Sequence, residues 1–65
     1  MTQNERLLAH LQQYGTISPL KARHVYRIER LASRMHDLRR MGHPIAVTQR
    51  RDPTGARYAE YSLAR

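Results

Sequence analysis

The sequence predicts a single small α+β domain over residues 1–65, with three helices followed by a two-stranded β-hairpin. Up to Leu38 the apolar residues recur every three or four positions, which is the helical period. After Pro44 the period drops to two, and the two alternating runs are separated by the tight-turn sequence Asp52-Pro53-Thr54-Gly55. There are no cysteines, so a chain of this length must rely on one small core without disulfides or thiolate-bound metal.

The first helix is expected over about residues 4 to 14. Thr2 and Glu5 have capping-box spacing, with Asn4 as a competing cap. Leu7, Leu8, Leu11 and Tyr14 form one apolar face, and Gly15 can end the helix. Thr16-Ile17 is too short for an independent strand, although its β-branched residues could add one rung to a sheet edge. Ser18-Pro19 then opens a second helix, because serine caps and proline at the first helical position gives up only an unpartnered N–H. That helix should run to about His24 with Leu20 and Ala22 inward.

Val25-Tyr26-Arg27 interrupts the pattern, and a third helix is expected from about Ile28 to Met41. Ile28, Leu31, Met35 and Leu38 form its buried stripe, thickened by Ala32, and Met41 reads as further core. Gly42 and Pro44 stop it, while Arg39 and Arg40 complement the negative end of its dipole. In the hairpin, residues 45–63, opposing Arg51 to Arg57 puts Val47 across from Tyr61 and Ile45 across from Leu63. One face is then apolar and the other polar.

Charge gives the first functional indication. Twelve basic residues, all arginine but Lys21, face five acidic ones for a net +7. Such an excess opposes folding of so small a chain and points to a polyanionic partner. It is unevenly placed: residues 1–17 sum to zero, residues 18–44 to +5 and residues 45–65 to +2. On the third helix Arg30, Ser33, Asp37 and Arg40 point away from the predicted core, with Glu29, Arg34 and His36 on the flanks. A short helix, a brief turn and a longer arginine-bearing helix make a helix-turn-helix, whose second helix enters the DNA major groove. The competing reading is a solvated face with Arg34–Asp37 and Asp37–Arg40 pairing. On the hairpin, Arg50 and Tyr58 face each other while Arg51 and Arg57 bracket the tip. They are placed to lie along phosphates or to enter a minor groove, or else to guard exposed strand edges.

The chain resembles the small winged helix-turn-helix proteins of bacteriophages and prophages over nearly its whole length. The likeness rests on Leu11 with Tyr14-Gly15, on Ile17 through Ala22, and chiefly on the run from Arg30 to Ile45. It implies a double-stranded DNA-binding protein of regulator or excisionase-like architectural type. Helix 28–41 would lie in the major groove and wing 45–63 on the backbone or minor groove. The base-contact candidates are then Arg30, Ser33, Arg34 and Asp37. The backbone candidates are Ser18, Lys21, Arg27, His36, Arg40, Arg50, Arg51, Arg57 and Tyr58. Many members of that family place glycine in the turn between the second and third helices, where this chain has Arg27. Arginine adopts a left-handed conformation poorly, so a longer or differently shaped turn is expected.

Other chemistries find little support. His10, His24, His36 and His43 lie on different elements without metal-ligand spacing, so no metal or other cofactor is expected. No phosphate loop, paired carboxylates or nucleophile motif appears, and neither an enzyme nor a small-molecule substrate is expected. No apolar run is long enough for a membrane span and none resembles a signal-peptide core, so a cytoplasmic protein is expected. A homodimer through the neutral first helix, or cooperative binding along DNA, would supply affinity that one small reader lacks. The alternative function is a protein-interaction module whose basic face docks an acidic partner such as a host polymerase or replication factor. RNA is disfavoured because a helix cannot read its deep, narrow major groove.

Overall fold

The computed structural model describes residues 2–64; Arg65, one of the cations counted above, lies outside them. The elements are α1 (Gln3–Tyr14), β1 (Thr16–Ile17), α2 (Pro19–Tyr26), α3 (Leu31–Arg40), β2 (Ile45–Arg51) and β3 (Arg57–Leu63). The strands form one antiparallel sheet in the order β1-β3-β2. The two-stranded hairpin of the sequence reading is therefore corrected to a three-stranded sheet. Thr16 pairs with Ser62 and Ile17 with Tyr61, and burying Ile17 to 2 % exposure gives this two-residue strand a tertiary reason to exist.

The start of α1 and the end of α3 have local causes. Thr2 caps α1 by accepting the Glu5 N–H at 3.2 Å, while Glu5 accepts the Thr2 N–H at 3.1 Å, which completes the box. Those bonds hold the Glu5 carboxyl below its usual range, the Thr2 backbone contact contributing most. At the end of α3 the His43 N–H reaches the Leu38 carbonyl and the Gly42 N–H reaches that of Arg39. This Schellman closure needs Gly42 at its positive φ of 100°.

The turn between α2 and α3 departs from the expected boundaries. Helix α2 continues through Val25 to Tyr26, past the expected stop at His24, and α3 begins at Leu31, not Ile28. The break is confined to Arg27, which adopts the left-handed conformation (φ 57°, ψ 38°). Its N–H bonds the Arg23 carbonyl and the next N–H, of Ile28, bonds that of Ala22. One left-handed residue thus reverses the chain and drops Ile28 into the core without making it helical. Arginine holds the conformation that glycine takes at no steric cost, so the turn keeps its shape at the expense of strain. Arg27→Gly is expected to stabilise the domain by about 0.8 kcal/mol, within a span of ~0–1.6, the left-handed cost of ~1–2 less the ~0.4–1 that glycine's freedom adds to the unfolded chain. Chemical denaturation checks it.

The core comprises Leu7, Leu11, Ile17, Ala22, Ile28, Leu31, Met35, Leu38 and Ile45, with Leu8, Tyr26, Tyr61 and Leu63 packed around it. Leu20, Ala32 and Met41, read as inward or core residues, are exposed, and Tyr14 is largely so. Leu20 lies on the side of α2 opposite Ala22 and Tyr26, Ala32 on a flank of the α3 stripe, and Met41 beyond its last turn. The hairpin register matches the expected one at every rung from Ile45↔Leu63 to Arg51↔Arg57. Its apolar face outruns the helices, however, and leaves Val47 exposed.

Among the described residues, His10 is the one buried polar side chain, at 7 % exposure. Its Nδ1 lies 2.8 Å from the Tyr26 hydroxyl, and its ring packs against Tyr14 and edge-on to Tyr26. Burial holds the imidazole below its ordinary pKa, with Lys21 adding to the effect and a backbone bond at Thr16 opposing it. The neutral form is therefore the native one. The stability this confers is full above the unfolded value of about 6.5 and is lost as pH falls through the lower folded value. Thermal melts from pH 7.5 down to 5 should show a falling midpoint that His10→Gln, which keeps polarity without titrating there, flattens.

Candidate nucleic-acid interface

All five carboxylates are engaged within the chain. Glu5 caps α1, Glu29 pairs with Arg23 at 3.5 Å, Asp37 with Arg34 at 3.6 Å and Glu60 with Arg50 at 2.9 Å. Asp52 holds the wing turn, its Oδ1 accepting from the Thr54 hydroxyl at 2.6 Å, the Thr54 N–H at 2.9 Å and the Ala56 N–H at 3.0 Å. These bonds keep the Asp52 carboxyl below its usual range, that from the Thr54 hydroxyl contributing most. Among the described residues, the cations left without a carboxylate are Arg6, Lys21, Arg27, Arg30, Arg39, Arg40, Arg51 and Arg57.

Most of these gather on the helix-turn-helix and the wing. Arg27 and Arg30 occupy the turn, both exposed, and Arg30 stands at the start of α3 without a capping side chain. The outward side of α3, opposite Leu31, Met35 and Leu38, carries exposed Ser33, His36 and Arg40. Arg34 and Asp37 are placed differently: both are partly buried, paired with each other, and border the N-terminal turn of α1 near Asn4 and Met41. Of the two pairings in the competing reading, Arg34–Asp37 is present, and Asp37–Arg40 is not among the ion pairs of the described residues. Of the four base-contact candidates, Arg30 and Ser33 thus have no side-chain ion-pair partner, while Arg34 and Asp37 hold each other.

The backbone candidates divide in the same way. The Ser18 hydroxyl caps α2 by accepting the Lys21 N–H at 3.2 Å, while the Lys21 side chain is exposed. Arg50, expected on a phosphate, is bound to Glu60, and Tyr58 opposite it is partly buried. Arg51 and Arg57 face each other directly across the ribbon, both exposed. Like charges in that position repel, and an anion laid between them would relieve the repulsion. The Asp52 turn fixes their spacing, with the Gly55 N–H bonding the Asp52 carbonyl at 2.9 Å and Gly55 at φ 89° supplying the bulge.

Sequence reasoning missed Arg39. Its Nη2 donates to the Ile45 carbonyl at 3.0 Å, tying the last turn of α3 to the first residue of the wing. A cation at this helix end suits the helix dipole, and nothing local in the sequence points to its carbonyl partner across the turn. Among the described residues, no group of three or more histidine, aspartate or glutamate side chains is placed to hold a metal ion, and no helix is long and apolar enough to cross a membrane.

A family model described as a winged helix-turn-helix domain matches residues 2–65. No curated protein and no solved structure matches the chain.

Proposed function

The chain belongs to the winged helix-turn-helix domain family, and from that premise we propose that it is a sequence-specific double-stranded DNA-binding protein. In this reading α3 enters the major groove and the β2–β3 wing lies along the backbone or minor groove. The role is that of a cytoplasmic transcriptional regulator or excisionase-like architectural factor of phage or prophage type, binding rather than catalytic. The observation that carries it is the separation of charge. Each of the five acidic side chains is engaged within the chain, and among the described residues the cations without a carboxylate concentrate in the α2–α3 turn, at the end of α3 and at the wing tip. Such a surface neutralises phosphates and releases their counterions.

Selection from a random duplex library tests the reading. An enriched motif is expected, with two related half-sites if the protein binds as a homodimer or cooperatively. A pool that stays random would remove sequence-specific binding and leave docking of an acidic protein as the better account. Within the enriched site, Arg30→Ala and Ser33→Ala should each change the preferred base at one position by about 1–3 kcal/mol. Binding profiles across single-base variants read this directly. Profiles identical to the parent's for both variants would show that α3 does not read sequence.

A further inference from the structure

A second surface lies between α1 and α2, and no residue of α3 or the wing lines it. It consists of two adjoining concavities of about 400 and 360 Å³, which share His10, Val25 and Tyr26 as a common ridge. The two helices are joined at its floor by the His10–Tyr26 hydrogen bond and the edge-on contact of the same two rings. Its walls include two large apolar side chains left in solvent, Tyr14 at 65 % and Val25 at 55 % exposure. One cation without a carboxylate partner borders each concavity, Lys21 on one side and Arg6 on the other.

We infer that this surface docks an acidic segment of a different protein, which seats an aromatic or aliphatic side chain against Tyr14 and Val25 and sets carboxylates on Lys21 and Arg6. Apolar walls with a cationic rim are complementary to a chain in which carboxylates flank an apolar anchor. A second copy of this chain fits poorly. It brings a further +7, and each of its five carboxylates is already engaged in a cap, a turn or an ion pair. Because α3 and the wing lie outside the surface, and Lys21 alone of its lining residues is also a backbone-contact candidate, a DNA-bound molecule still offers Arg6, Tyr14 and Val25 to the partner. The inference does not require that DNA be the ligand of α3.

The test is amide and side-chain NMR of the full chain titrated with a short synthetic peptide of glutamates flanking one phenylalanine. The controls are a peptide with glutamine at each glutamate and one with alanine at the phenylalanine. Saturable shifts at Arg6, Tyr14, Lys21 and Val25 are expected with the parent peptide only. Lys21→Glu and Val25→Asp, both at exposed positions, should each abolish them while circular dichroism stays that of the folded parent. If a duplex carrying a selected site is added, Arg6, Tyr14 and Val25, none of them a candidate DNA contact, should still respond to the peptide. Shifts confined to Arg51, Arg57 and α3 would mean that the peptide merely imitates nucleic acid, and would overturn the inference. So would an absence of saturable binding, or shifts at Tyr14 and Val25 that grow with protein concentration alone and identify a second copy as the occupant.

Discussion

Leu38→Ala should leave the domain largely unfolded at ambient temperature. Leu38 is 1 % exposed, on the α3 face that packs toward α1, with Leu8 beside it. Truncating such a leucine costs about 2–5 kcal/mol, the loss from burial plus that of the cavity left behind. A core of this size supplies roughly 3–5 kcal/mol in all, so one substitution removes most of the margin. Leu31→Ala, at 2 % exposure, should behave alike. By contrast, Leu20→Ala should be nearly silent, because Leu20 is 64 % exposed. Circular dichroism melts of the three variants check the assignment, and a parent-like transition for Leu38→Ala would mean that the buried face of α3 is wrongly drawn.

The second large effect belongs to the wing tip. Removing Arg51 and Arg57 together should weaken binding to specific and nonspecific duplexes by similar factors, since phosphate contacts position a protein without reading sequence. Each lost contact lowers the slope of log affinity against log salt by about 0.9, so the double variant should be flatter by roughly two units. The fold should survive or gain slightly, because the pair repels across Arg51↔Arg57 and neither side chain touches the core. Arg50→Ala should change the slope less, as its guanidinium already sits on Glu60. An unchanged slope in the folded double variant would mean that the wing stays off DNA.

These contrasts show which parts of the molecule its sequence makes visible. The hairpin register is legible because two independent constraints, the alternation and the Asp52-Pro53-Thr54-Gly55 turn, require the same pairing. The left-handed residue at Arg27 is not, because what holds it there is the docking of Ile28, a tertiary event without a local signature. Strand β1 is too short to have a period, and its pairing depends on where β3 happens to lie. In the site, the surplus of cations is plain from composition, but which of them are free is not. The Arg50–Glu60 pair does follow from the register, since Glu60 is two residues along β3 from Tyr58, opposite Arg50. The Arg39–Ile45 bond needs the chain to turn at Gly42 and Pro44 before the two groups meet.

The central place of β3 also sets how quickly this molecule can assemble. Pairing β2 with β3 is a local event around one tight turn, of the kind completed in about 1–10 μs. Pairing β1 with β3 joins Thr16 to Ser62, 46 positions apart in the sequence, and must bear the entropy of closing everything between them. Such non-local closures are what slow a small domain relative to a bundle of helices alone. The two rungs of β1 therefore weigh more in the folding rate than their length suggests, and the speed limit of this fold lies in the closure of its sheet.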